Sequence, residues 1–178
     1  ITDFVIEKDF LIEQLKELIK KKEAKNIQIY INPHGEPLLY KPLEDLIKDM
    51  RKIKEITEIG IATNGLLLDK KKVDSLIKAG LTKFNISINS IDEKTAKIMA
   101  GTKYESNNIL EICKYISKKS KLFIAPVWVQ GYNDKEIPKL IEFSKKIEAK
   151  LMIQNFLTYR FGRNPAKQKD FKEFFKEL

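Results

Sequence analysis

Cysteine, histidine and tryptophan each occur once in these 178 residues, and glycine only seven times. A single cysteine excludes an internal disulfide framework, and one thiol alone holds neither a structural zinc nor an iron–sulfur cluster. Cys113 sits beside Ile109, Ile112 and Ile116 at helical spacing, which reads as a buried structural thiol in a reducing compartment. A lone histidine, His34, leaves no HExxH and no other metal-spaced pair. The few glycines form neither a GxxxxGK[ST] phosphate loop nor a GxGxxG turn after a strand, and none flanks a serine as in a nucleophile elbow. Apolar runs are short as well: the longest, around Leu122 to Val129, cannot cross a bilayer, so no membrane partner is expected.

What is abundant is lysine. The formal net charge is +9, yet only three arginines stand among the 34 basic residues, and the lysines are spread over every helical pattern. Such a charge suits a polyanion partner in principle. An even spread of Lys and Glu is also the composition of heat-adapted surfaces, and the dispersion here favours a solvated surface. With 43% hydrophobic residues and no low-complexity tract, the chain has enough apolar material for one packed domain.

Five segments carry strand character: NIQIYINP (26–33), EIGIATNG (58–65), KFNISINS (83–90), KLFIAPVWV (121–129) and KLMIQNFL (150–157). Helical patterns separate them. An opening helix over Lys8–Lys21 has its apolar stripe at Leu11, Ile12, Leu15, Leu18 and Ile19. Asp69 caps a helix that Gly80 ends. Ser90 with Glu93, and Asn133 with Glu136, read as capping boxes, while Pro42 suits a first helical turn. Strands recurring roughly every 25–40 residues, with helices between, predict an α/β fold with a parallel sheet and outer helices. The sheet is either an open doubly wound one or an arc of a barrel, and both put function at the C-terminal strand ends. Pro126 is awkward in a central strand and predicts a distortion or an edge there.

The strand ends bring together neutral hydroxyls and amides (Thr63, Asn64, Ser87, Asn89, Gln154) and one carboxylate, Glu36, in the stretch INPHGEPLLY. This inventory suits an amino-acid moiety or a sugar, because a carboxylate accepts strongly from an ammonium and hydroxyls or amides satisfy carboxylate and ribose oxygens. Gly35 allows close backbone approach. The same residues also fit an ordinary surface loop and turn. A Schiff-base lysine stays open for a barrel, although Lys121 and Lys150 fall at strand beginnings, the wrong end.

The ordered set GEPLLYKPLEDLIKDM, IGIATNGLLLDKKKVDSLIKAGLTKFNISINSIDEKT and VQGYNDKEIPKLIEFSKK, spanning about Asn26 to Leu157, resembles the radical S-adenosylmethionine superfamily. The likeness is to the branch with the molybdenum-cofactor biosynthesis protein and the enzyme-activating and peptide-modifying members. It implies a partial (β/α)6 TIM-type barrel, of which this chain would hold strands two to six. It further implies S-adenosylmethionine and a 4Fe-4S cluster as cofactors, cleavage to a 5′-deoxyadenosyl radical, and hydrogen abstraction from a substrate such as RNA, a protein side chain or a cofactor precursor. A reductant protein such as a ferredoxin or flavodoxin is the implied partner. Carried over by position, Gly35 and Glu36 match the motif that binds the methionine amine. Thr63 and Ser87 match positions near the methionine carboxylate or ribose, with Asn89 a weaker ribose candidate. Val127 to Val129 would lie by the adenine, and Gln154 near the cofactor or substrate.

Two departures stand out. His34 replaces the first glycine of the family's GGEP, and packs, faces solvent, or touches the cluster region or substrate. The family's CxxxCxxC loop is absent from these residues, so the expectation is the C-terminal part of a longer cytoplasmic enzyme with its cluster ligands upstream, inactive alone. The alternative is a cluster-less barrel that binds a nucleotide-like ligand or a partner protein. Residues 1–157 are assigned to the barrel and 158–178 to a basic, aromatic helical extension. There Arg160 and Arg163 are weak substrate candidates for phosphate or RNA contact, and Phe171, Phe174, Phe175 and Leu178 keep helical spacing to cover an opening of the barrel.

Overall fold

The computed structural model describes residues 5–101, 104, 106–158 and 166–177. Helix α1 (Lys8–Lys22) opens the fold, and strands β1 (Ile27–Ile31), β2 (Ile56–Thr63), β3 (Lys83–Ile86), β4 (Lys121–Ile124) and β6 (Lys150–Leu151) form one parallel sheet in the order β1-β2-β3-β4-β6. A second parallel pair, β5 (Val127–Trp128) with β7 (Gln154–Asn155), continues the line of β4 and β6. Helices α2 (Leu43–Arg51), α3 (Lys70–Ala79), α4 (Glu93–Ala100), α5 (Ser106–Ser117) and α6 (Glu136–Lys146) lie between strands, and α7 (Phe171–Glu177) follows. The expected barrel arc of five parallel strand segments with outer helices is thus the observed architecture.

Alternation along each strand divides the sheet into two faces. One face presents Ile59, Ile61, Phe84, Ile86 and Ile124, all without solvent exposure, to Ile47 of α2, Val73 and Leu76 of α3 and Cys113 and Ile116 of α5. Each such side chain contributes about 1.5–3 kcal/mol on burial, so this layer fixes the helices on the outside. The other face carries Tyr30, Gly60, Ala62, Lys83, Asn85 and Phe123, which curve around the barrel interior.

Local signals set most element ends. Asp69 accepts from the Lys72 amide at 2.6 Å and Gly80 closes α3 at φ +114°, as the sequence predicts. In α1, Ile12 and Ile19 are buried and Leu11 and Leu15 pack partly on the core, but Leu18 is 50% exposed and leaves the predicted stripe. Neither capping box forms. Asp92, not Ser90, caps α4 through the Thr95 amide at 2.8 Å, and α6 has no side-chain cap. Ser90, Asn133 and Glu136 are committed instead to contacts between distant loops. Pro126 does break its strand: it has no N–H, and the chain leaves β3 there and pairs onward with β7, where the Gln154 amide donates to the Pro126 carbonyl at 2.8 Å.

Candidate functional site

β1 ends at Ile31, and beyond Asn32 and Pro33 the chain turns through Gly35 at φ +144°, a conformation that favours glycine. Nothing lies within 4 Å of where a Gly35 side chain would start, so the backbone beside Glu36 faces open space. Glu36 itself begins a short 3-10 turn (Pro37–Leu39), and its Oε1 accepts from the Leu38 amide at 3.1 Å. The buried Thr63 at the end of β2 donates its hydroxyl to the same oxygen at 2.6 Å and accepts from the Gly65 amide at 3.1 Å. Oε2 accepts from the Asn64 amide at 3.1 Å. A carboxylate oxygen accepts two hydrogen bonds, so Oε1 is filled from the protein side while Oε2 retains one acceptor direction. Thr63 therefore orients Glu36. His34 lies exposed on the same turn.

The strand-end residues further along form a second group. The Ser87 amide donates to the Thr63 carbonyl at 3.0 Å, which ties the two groups together. Exposed Ser87 and Gln154 line a cavity of about 410 Å³ inside the barrel. Asn89 accepts from the Val127 amide at 2.8 Å, replacing the ladder partner that β3 no longer offers once its chain turns away. Val127 is half-buried and pairs with Gln154 across β5 and β7, while Val129 is buried. The structure thus brings Glu36 to Thr63, and Asn89 to Val127, which pairs with Gln154. Arg160 and Arg163 lie outside the described residues. So does Leu178; Phe174 is buried against Trp128 with ring centroids 5.9 Å apart, whereas Phe175 is 69% exposed.

Two residues behind these loops hold them in place. Fully buried Asn133 accepts from the Val129 amide at 2.8 Å and donates to the carbonyls of Asn89 at 2.9 Å and Val127 at 3.0 Å. Glu136, 4% exposed, receives the Ser90 hydroxyl at 2.8 Å, the Ile91 and Asp92 amides at 2.9 Å each, and Lys139 at 2.6 Å. Burial pushes the Glu136 carboxyl up, but Lys139 and the Asp92, Ser90 and Ile91 donors outweigh it and hold the group at about 2. Sequence reading assigned both residues to helix caps. The NDKE pattern marks them as polar but gives no sign of partners some forty residues away.

Taken together, fold and site define a parallel α/β barrel arc whose strand ends gather one carboxylate and several neutral polar groups. The chain belongs to the radical SAM superfamily, whose family model matches residues 2–144. An uncharacterised protein of Methanocaldococcus jannaschii is 35% identical over 97% of this chain and 45% of its own length. The GTP 3′,8-cyclase of Thermodesulfovibrio yellowstonii is 35% identical over 77% of the chain and 42% of the enzyme. Among solved structures, SuiB of Streptococcus suis bound to its precursor peptide SuiA superposes with a TM-score of 0.79 at 19% identity, over 99% of this chain and 39% of that one. The chain spans somewhat under half the length of these curated relatives.

Members of this superfamily use S-adenosylmethionine and a 4Fe-4S cluster. The donor set at Glu36 fits the amino-acid end of the first. It does not fit the second: the one thiol, Cys113, is buried in the helix layer, and burial pushes it up to about 12. Among the described residues no three His, Cys, Asp or Glu side chains converge as metal ligands. Nor, among them, is any helix long and apolar enough to cross a membrane.

Proposed function

We propose that this chain is the S-adenosylmethionine-holding part of a radical enzyme whose cluster thiolates are supplied by polypeptide outside these 178 residues. The observation that carries the reading is the Glu36 carboxylate, fixed by Thr63 and Asn64 at the end of β1 with one acceptor direction on Oε2 still open beside Gly35. An ammonium approaching there gains a charge-assisted hydrogen bond without any rearrangement of the carboxylate. Ser87 and Gln154 offer hydroxyl and amide groups toward the cofactor's carboxylate, ribose or substrate, and Val127 to Val129 form the edge for its adenine. Asn89 contributes by holding Val127, and Asn133 positions both. The cofactor, when bound and reduced by one electron, supplies the 5′-deoxyadenosyl radical that takes hydrogen from a substrate. The electron comes from a reductant protein of the ferredoxin or flavodoxin kind. The substrate is drawn from RNA, a peptide or protein side chain, or a small cofactor precursor.

The direct test expresses the parent protein with its cysteine-bearing segment, anaerobically and with the cluster rebuilt, and measures 5′-deoxyadenosine after addition of S-adenosylmethionine and reductant. Formation of the product supports the reading. Binding of S-adenosylmethionine with no 5′-deoxyadenosine, with or without cell extract, would instead make the chain a ligand-binding barrel. In the same protein Glu36→Gln should weaken S-adenosylmethionine binding by about tenfold or more, the size of one lost charge-assisted hydrogen bond. Unchanged affinity by calorimetry would place the amine elsewhere.

A further inference from the structure

The barrel interior carries a charge pattern that the cofactor does not use. Its cavity of about 410 Å³ is lined by Tyr30, Asn32, Asn85, Ser87 and Gln154 among others, and Lys83 is the only charged lining residue among those the structure describes. The Lys83 side chain is 20% exposed and donates to Glu58 at 2.7 Å, with its ammonium 5.5 Å from the Phe123 ring centre. Glu58, itself buried, is shared with Lys121, so two ammonium groups meet one carboxylate. Lys150 and Glu148 line the space beneath and add one charge of each sign. The floor is therefore left one positive charge in excess. Above it, Tyr30 accepts from the Asn85 amide at 2.5 Å and keeps its own O–H to donate.

Gly60 makes this arrangement fit. A Cβ there would stand 2.8 Å from Lys83 Cε and 3.2 Å from the Tyr30 ring, so the lysine stem occupies the space that the glycine leaves.

We propose that the substrate enters this cavity with an oxyanion, a phosphate or a carboxylate, leading, and that Lys83 receives it with Tyr30 and Asn85 as flanking donors. The proposal rests on the reading above in placing the cofactor at the strand ends, which leaves the interior for the substrate. A volume of this order takes a small molecule or a single nucleotide-sized or side-chain-sized group. The electrostatics select for charge: an anion relieves the excess of ammonium over carboxylate, whereas a cationic group would meet Lys83 directly.

The test is an amide NMR titration of this chain with inorganic phosphate, acetate and neutral acetamide at constant ionic strength. Shifts should centre on Tyr30, Ala62, Asn85, Ser87 and Gln154 for at least one anion, and acetamide should leave them still; the stronger anion identifies phosphate or carboxylate as the leading group. Lys83→Gln should weaken binding about tenfold or more, as loss of a charge-assisted hydrogen bond does. Glu58→Gln should tighten it severalfold by removing the competing carboxylate, a direction that mere loss of structure cannot produce. Gly60→Ala keeps every charge but displaces the Lys83 stem and should weaken binding too. Equal binding of acetamide, equal affinity in Lys83→Gln, or shifts confined to exposed lysines would overturn the proposal. S-adenosylmethionine binding measured on the parent protein with its cluster rebuilt separates the two readings. If it persists while the anions fail, only this inference falls; if the anions bind the interior and it fails, only the cofactor reading falls.

Discussion

Neutralising Glu136 removes a charge while keeping its shape. In Glu136→Gln the amide oxygen can still accept from Ser90, Ile91 and Asp92, so the change isolates the negative charge those donors and Lys139 face. The native carboxyl is held at about 2 against an ordinary 4.5. A folded-state value below the unfolded one means stability that is fully present above the unfolded value and lost as pH falls through the folded value. The depression corresponds to about 3 kcal/mol at neutral pH, a large part of the stability of a domain this size. Urea unfolding followed by far-UV circular dichroism, on native and variant chains from pH 7 to about 2.5, measures it directly. The gap between the two should be widest at pH 7, close progressively below about pH 5, and fall to about 1 kcal/mol at the acid end. Other carboxylates titrate in both chains and cancel in the difference. A gap under 1 kcal/mol at pH 7, or one that stays constant with pH, would refute the account of Glu136 as a buried, charge-bearing anchor.

Asn133→Ala strips partners from the Val129 amide and from the Asn89 and Val127 carbonyls, and should cost about 3 kcal/mol at roughly 1 kcal/mol per bond. Hydrogen exchange over 127–133 should rise with it, and unchanged exchange there would contradict the role given to Asn133. Cys113, fully buried with its thiol pushed up to about 12, should resist thiol-modifying reagents in the native chain and react only on unfolding. Prompt labelling in native buffer would mean that the helix layer opens far more readily than its packing implies.

Much of the fold was legible because its signals are local and periodic. The alternating isoleucines of Ile27–Ile31 and Ile56–Thr63, the Asp69 cap and the Gly80 end need no distant partner to act. Glu36, Thr63, Ser87 and Gln154 could be placed at one end of the sheet because parallel strands all deliver their ends to the same side. The capping patterns misled for the opposite reason. Ser90 and Asn133 have the right residues at the right spacing, but their side chains are taken by groups 46 and 44 positions away, and tertiary hydrogen bonds prevailed over a cap. Lys83 and Tyr30 went unread although both alternate with apolar neighbours along their strands. Whether a polar face meets solvent or a barrel interior depends on curvature, which one strand does not encode.

Pro126 divides the barrel into two mechanical parts. From β1 through β4 the wall is a continuous ladder, and moving any strand breaks several backbone bonds together. Past Pro126 the wall that carries Val127 and Gln154 is joined to the strand before it by the Asn89 and Asn133 side chains. Exchange of a few side-chain bonds requires far less than unzipping a sheet, so this wall is the segment with the least resistance to outward displacement. On the cofactor reading proposed above, the barrel has its compliance where the adenine edge would lie, and its stiffness beside Glu36 and Lys83.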